Sequence, residues 1–176
     1  MAEDVLIRPY LATDLPEIHD ITIRAFVQVS IDAHIERSYG LLQGTSWEDR
    51  KCAAVSADVA GNPDGCFSAL LGGQVVGYVT TGVDQQAGVG RIINLAVHPD
   101  FHGRGLGKRL LCRAFDYFRQ LGLPHYRIET TTDNEVGQSL YPSCGFQELT
   151  RQIIYFMSAD EAAEWTLPAD GSQENS

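Results

Sequence analysis

Between Asn94 and Lys108 the chain reads Asn-Leu-Ala-Val-His-Pro-Asp-Phe-His-Gly-Arg-Gly-Leu-Gly-Lys, with Gly103, Gly105 and Gly107 at alternate positions. Glycine lets a backbone approach an oxyanion closely, and the N–H groups of a first helical turn point at such an anion with the helix dipole behind them. Arg104 and Lys108 add positive charge where a pyrophosphate would lie. Two nucleotide motifs fail on spacing. A P-loop needs glycine six residues before the lysine, where His102 stands, and Ser or Thr where Arg109 stands. The dinucleotide fingerprint G-x-G-x-x-G does not fit glycines at 103, 105 and 107. Two readings remain: a phosphate cradle of backbone amides, or a glycine-rich turn ahead of a solvated basic helix face. From Phe101 to Phe115 the bases are Arg104, Lys108, Arg109 and Arg113 and there is no acid, which favours the cradle.

The elements around this loop follow from periodicity and punctuation. Val5–Pro9 reads as a first strand ended by its proline. Thr13 or Asp14 caps a helix with Pro16 in its first turn, and Leu15, Ile18, Ile21, Ala25, Phe26 and Val29 recur at helical spacing. Residues 31–45 suggest a short second helix ending near Gly40 or Gly44; Ser46 caps a third, with Asp49 at the capping-box position and a stop at Gly61-Asn62-Pro63. Cys66–Leu71 and Gln74–Thr81 form a hairpin across Gly72-Gly73, and Arg91–Val97 extends the meander. Leu106, Leu110, Ala114 and Phe118 stripe a helix that Gly122 and Pro124 terminate. Tyr126–Thr132 is expected as a strand, Glu135–Ser143 as a short helix and Gln147–Met157 as a final strand. The resulting fold class is α/β (α+β): a mixed, mostly antiparallel central sheet flanked by helices, in one domain over residues 1–157. Residues 158–176, with five acids and no base, read as a frayed helical turn and a flexible acidic tail.

Composition narrows the function further. The net charge is -10, and an acidic field disfavours nucleic-acid binding. No apolar run reaches the roughly 18–20 residues that a membrane-spanning helix needs. Met1–Tyr10 contains Glu3 and Asp4 instead of a basic, apolar signal segment, so a cytoplasmic location is expected. Cys52, Cys66, Cys112 and Cys144 form neither a CxxC pair nor a Cys/His cluster, which argues against a metal site and for free thiols in a reducing compartment.

The stretch Leu95–Leu111 resembles the acetyl-CoA signature of the GNAT N-acetyltransferase superfamily, Q/R-x-x-G-x-G/A after a strand that ends in a V-x-P turn. His102 takes the Gln/Arg place, and Gly105 and Gly107 fill the two small positions. Downstream, Asn134…Leu140-Tyr141-Pro142-Ser143-Cys144-Gly145-Phe146 is similar to the family's N-x-x-A-x-x-L-Y-x-x-x-G-F, with Gly137 in the alanine place. Ile7-Arg8-Pro9…Asp14-Leu15 is similar to its first strand and helix, so the resemblance covers about residues 5–157. It implies acetyl-CoA as co-substrate. The amides of Leu95, Ala96 and Val97 would pair with the pantetheine arm as an added strand. The backbone of Gly103, Arg104, Gly105, Leu106, Gly107 and Lys108 would hold the pyrophosphate, Asn134 would touch the cofactor arm, and Tyr141 would sit beside the sulfur.

Acetyl transfer to an amine requires loss of the amine's proton, stabilisation of an oxyanion and protonation of the departing thiolate. Tyr141 suits the last role, since a phenol with a pKa of about 10 is protonated at neutral pH. The competing role is packing against the sheet. For the base, Glu129 stands five residues before Asn134, and ribosomal-protein N-terminal acetyltransferases, a branch of the family, carry a catalytic glutamate at a similar offset. A structural carboxylate is the alternative there; Asp84, His98 and His125 are further options through a water chain. Asp32, Glu36 and Glu48 with Tyr39, Trp47 and Tyr155 could receive a cationic acceptor or form an ordinary acidic face. The sequence thus points to an acetyl-CoA-dependent N-acetyltransferase acting on a primary amine of a small molecule or peptide. The resemblance is compatible with a homodimer. A non-catalytic CoA-binding regulatory module of the same fold is the alternative.

Overall fold

The computed structural model describes residues 5–165. Five strands form one sheet in the order β1 (Val5–Pro9), β2 (Phe67–Leu71), β3 (Gln74–Asp84), β4 (Val89–Val97) and β5 (His125–Ile128). The first three pairings are antiparallel, whereas β4 and β5 run parallel. A parallel neighbour needs a crossover, and α4 (Leu106–Gln120) supplies it. Its Leu106, Leu110, Leu111, Ala114 and Phe118 are all buried against one face of the sheet. Burial of each such leucine or phenylalanine contributes about 1.5–3 kcal/mol. Gly90 lets α4 lie close, because a Cβ there would stand 2.6 Å from the Phe118 ring.

The other face is covered by α1 (Leu15–Phe26) and α3 (Trp47–Gly61), whose Ile18, Ile21, Val55 and Val59 pack on Val75, Tyr78 and Ala96. Ser46 caps α3 as expected, its Oγ accepting the Asp49 amide at 3.1 Å. Between them lies α2 (Ile31–Tyr39), ended by Gly40 at φ 74°. Arg8 fixes the first strand to the turn before α1 by donating to both carboxylate oxygens of Asp14 at 2.7 Å. Ser68 Oγ and the Leu11 amide also donate to Asp14, which is 4% exposed. Burial pushes its pKa up, but these three donors outweigh burial and hold it below the usual carboxylate range.

Two expected strands are altered. The strand expected over Tyr126–Thr132 forms only as β5, His125–Ile128, so Glu129 lies beyond its end. The stretch Gln147–Met157 is not a strand at all: it joins no ladder among the described residues, and Leu149 is 95% and Tyr155 87% exposed. Alternation marks a chain that could be a strand, but a strand exists only where a second edge accepts its hydrogen bonds. The segment is fastened through Phe156, whose carbonyl accepts from Tyr39 Oη at 3.0 Å while the two rings meet edge-on. After α5 (Glu135–Ser143), the expected frayed turn is a helix, α6 (Ala159–Glu164), closed by a reciprocal Ser158–Glu161 capping box. The rest of the expected tail, including Gly171–Ser176, lies outside the described residues.

Candidate active site

The sheet opens in the middle of β4. Pairing with β5 ends at Ile92↔Ile128, while β4 continues to Val97 against β3 alone. The register on the β3 side shifts between Thr80 and Thr81, which pair with Asn94 and Ile92 and leave Ile93 as the extra residue of a bulge. Bulges bend the strand that carries them and increase its local twist. Past this point, among the described residues, one edge of β4 has no strand beside it.

The direction of each amide follows from one hydrogen bond. The His98 amide donates to the Val76 carbonyl at 2.9 Å, so alternation turns the amides of Ala96 and Asn94 toward β3 and those of Leu95 and Val97 toward the open edge. Of the three amides expected to pair with the pantetheine arm, those of Leu95 and Val97 are turned to the open edge. The Ala96 amide is turned toward the sheet, and its side chain packs against α1 and α3.

Beyond β4 the chain turns through Pro99–Phe101 into the glycine loop. Gly103 and Gly105 adopt φ 75° and 73°, where a side chain would be strained, and the space beside both is empty. Gly105 is the N-cap of α4, whose first intrahelical bond is Arg109 N–H to the Gly105 carbonyl at 3.2 Å. The amides of Leu106, Gly107 and Lys108 therefore precede the first helical hydrogen bond and are available to an anion. Gly107 serves packing instead: a Cβ there would lie 3.1 Å from Leu140 on α5. The basic island divides by role. Arg109 donates to the Val5 carbonyl at 2.7 Å and Arg113 stacks on Phe67 at 4.0 Å, so both hold the fold. Arg104, over the Phe101 ring at 5.3 Å, and Lys108 are exposed and form no ion pair among the described residues.

Asn134 is the N-cap of α5: its Oδ1 accepts the Gly137 amide at 3.0 Å and its Nδ2 donates to Thr130 Oγ1 at 2.8 Å. This side chain, expected beside the cofactor arm, therefore also caps α5. The glycine in the alanine place is explained by the same corner, since a Cβ on Gly137 would meet Asn134 Nδ2 at 2.8 Å, Thr130 Oγ1 at 3.0 Å and the Tyr141 ring at 3.0 Å. Tyr141 is half-buried, with its ring edge-on to Phe146, and burial pushes its phenol up to about 12. Glu129 is exposed just past β5. Its Oε1 lies 2.8 Å from Arg127 Nη2 and 3.4 Å from Arg91 Nη2.

The remaining titratable candidates lie elsewhere. Asp84 and His125 belong to the Val89 end of β4, about 26 Å from Val97 at 3.3 Å per residue. His98 packs among Asp20, Asp100 and Phe101 on the α1 side. Asp32 and Glu36 pair with Arg50, and Glu36 also accepts the amide of the buried Trp47. They fasten α2 to α3 and do not form an open cation site. Two ties join the stretch after β5 to the α1–α2 region: Thr131 Oγ1 donates to the Val29 carbonyl at 3.3 Å, and His34 Nε2 lies 2.8 Å from Asp133. Sequence reasoning missed these ties and the part-buried cluster of Lys51, Asp58, Thr80 and Asn94, because neither has a local pattern.

This mixed sheet, opened at a bulge and followed by a glycine-led helix, offers a strand edge and a helix N-terminus side by side. The profile described as "Acetyltransferase (GNAT) family" matches residues 17–146. The chain belongs to that family. It is 31% identical to the mycothiol acetyltransferase of Streptomyces avermitilis over 163 residues, covering 84% of this chain and 51% of that protein. With the mycothiol acetyltransferase of Rhodococcus jostii it shares 29% over 164 residues, covering 84% and 53%. The chain thus spans about half the length of these curated relatives. Among solved structures, the ribosomal-protein-S18-alanine N-acetyltransferase of Escherichia coli has TM-score 0.63 and 22% identity, with 90% of this chain and 87% of that one covered. The PaiA N-acetyltransferase of Thermoplasma acidophilum, solved in complex with coenzyme A, has TM-score 0.66 and 18% identity over 82% and 90% of the two chains. Both share the fold.

Proposed function

We propose that this protein is an acetyl-CoA-dependent N-acetyltransferase whose acceptor is a primary amine on a small molecule or peptide. The observation that carries the proposal is the juxtaposition at the C-terminal end of β4: outward amides at Leu95 and Val97, then free amides at Leu106, Gly107 and Lys108. The first pair suits the amide-bearing pantetheine arm and the second set suits the pyrophosphate, with Arg104 and Lys108 supplying charge.

In the reaction the amine nitrogen attacks the thioester carbonyl, the C–N bond forms, and the C–S bond breaks to release the CoA thiolate. Backbone donors at the opened strand stabilise the oxyanion, a contribution of about 3–4 kcal/mol per donor. Tyr141 faces the thiolate as a hydrogen-bond donor. A phenol near 12 is a weaker acid than a free tyrosine, and full transfer to a thiol near 8.5 is uphill in water, so its contribution is a hydrogen bond that strengthens as charge develops on sulfur. The apolar surroundings that raise the phenol also raise the thiol, which narrows the gap. Glu129, exposed just past β5, takes the amine's proton directly or through water, while Arg127 and Arg91 orient it. The free cysteines suit a reducing, cytoplasmic setting.

The test is calorimetry with CoA at low ionic strength, followed by thiol release from acetyl-CoA across polyamines, aminoglycosides, amino acids and peptides. Binding that weakens with salt is expected, with turnover on at least one amine class. Gly105→Glu should abolish binding in a folded protein, since it puts a side chain and a negative charge at the α4 N-terminus. Absence of CoA binding by the natural sequence would overturn the proposal. Binding without turnover on any panel would make it a CoA-binding module.

A further inference from the structure

Behind the open edge of β4 lies a polar cluster, buried at Asn94 and Thr80 and part-buried at Lys51 and Asp58, that the reaction does not use. Asn94 is 2% exposed and Thr80 1%. The Asn94 amide donates to Thr80 Oγ1 at 3.1 Å, and Asn94 Nδ2 donates to the same hydroxyl and to Asp58 Oδ2, each at 2.8 Å. Asn94 Oδ1 accepts from Lys51 Nζ at 2.8 Å, and the ammonium lies 4.7 Å from the Phe26 ring centre. Every polar group of the Asn94 side chain is engaged.

The cluster sits at the register shift, where Thr80 opposes Asn94 and Thr81 opposes Ile92. The Asn94 amide faces β3 and donates to the Thr80 side-chain hydroxyl. That hydroxyl thus sits at the bulge, next to the extra residue, Ile93. A strand slipped by one residue would carry its side chains to opposite faces and reverse the amides. Ala96 would then point into the opening, and Leu95 and Val97 into the sheet.

We propose that Thr80, Asn94 and Lys51 are positioning residues for acetyl-donor binding, whose hydrogen bonds lock the β4 bulge and so aim the Leu95 and Val97 amides at the open edge. Thr80 supplies a side-chain acceptor at the bulge, Asn94 joins strand to helix, and Lys51 with Asp58 anchors that joint on α3. None of the three touches the donor. The inference rests on the acetyl-donor reading, and the experiment separates the two.

Calorimetry with CoA is run on the natural protein, Thr80→Val and Thr80→Ser. The valine variant keeps the branched shape and loses the acceptor, whereas the serine variant keeps the hydroxyl. Thr80→Val is expected to weaken CoA binding tenfold or more and to raise KM for acetyl-CoA with kcat at saturation changed less than threefold. Thr80→Ser should restore affinity to within threefold. Unchanged affinity in folded Thr80→Val, or equal loss in the serine variant, overturns the inference and leaves the donor reading intact; failure of the natural protein to bind CoA overturns the donor reading. Where Thr80→Val does not fold, Lys51→Met is expected to weaken CoA binding two- to fivefold, and unchanged affinity overturns the inference. Amide hydrogen exchange on the ligand-free natural protein gives a readout independent of activity. Leu95 and Val97 should exchange faster than Ala96, and the reverse order overturns the inference.

Discussion

The imidazole Nε2 of His102 lies 2.9 Å from the carbonyl oxygen of Val97. A carbonyl can only accept, so this nitrogen carries the proton, and the ring ties the glycine loop to the last residue of β4. His102→Ala should therefore loosen the phosphate cradle relative to the strand edge. A hydrogen bond of about 0.5–1.5 kcal/mol corresponds to a two- to tenfold loss of CoA affinity with kcat at saturation little changed. Calorimetry and a KM-against-kcat comparison check it.

Tyr141→Phe keeps the ring contact with Phe146 and removes only the hydroxyl. Turnover should fall by about 10²-fold with CoA affinity and melting temperature nearly unchanged. Because burial raises the phenol to about 12, Tyr141 stays protonated across the working range, and no alkaline fall in rate below pH 10 should be assigned to it. A pH–rate profile of both proteins tests this. In the same assay, Glu129→Gln should alter the acidic limb; an unaltered limb removes Glu129 from the mechanism.

Gly137→Ala inverts the usual propensity rule. In an open helix, alanine gains roughly 1 kcal/mol over glycine. Here the new Cβ would meet Asn134 Nδ2, Thr130 Oγ1 and the Tyr141 ring at 3.0 Å or less. The variant should melt at a lower temperature and lose activity through displacement of the Tyr141 ring, as thermal denaturation and thiol release would show.

Asp14→Asn removes a buried carboxylate and leaves the part-exposed Arg8 facing a neutral amide. The loss expected at neutral pH is about 1.5–3 kcal/mol, the range for hydrogen bonds to a charged group. Asp14 has a folded pKa below its unfolded value, so its contribution is complete above the unfolded value near 3.9 and disappears as pH falls through the lower folded value. Urea denaturation from pH 6 to pH 2 should show the natural protein losing this stability while the variant, already without it, changes less.

The glycine loop, the α4 stripe and the meander were legible in the sequence because each has a local cause: positive-φ glycines, a 3.6-residue period, a Gly-Gly turn. The motif spacing from Asn134 to Phe146 likewise marked α5. What escaped was non-local. β5 pairs with β4 only as far as Ile92, and there the β3–β4 register shifts beside Thr80, whose hydroxyl meets the amide of Asn94, fourteen residues away. Gln147–Met157 shows the converse, since its alternation is a property of one segment and pairing a property of two. Asn134, expected beside the cofactor arm, also caps α5, a role its place in the motif did not announce. Asp32 and Glu36 looked like an acidic mouth until Arg50, carried on α3, was brought against them.

The open edge of β4 also bears on what counts as the complete fold. If the pantetheine arm occupies that edge, part of the sheet's hydrogen bonding is supplied by a molecule that is not protein. Binding and folding are then linked by mass action, and the stability of the chain depends on how much donor the solution holds. A melting temperature for this protein would have meaning only beside a stated CoA concentration. A destabilising substitution far from the site would be masked in a cell rich in acetyl-CoA and exposed in one depleted of it.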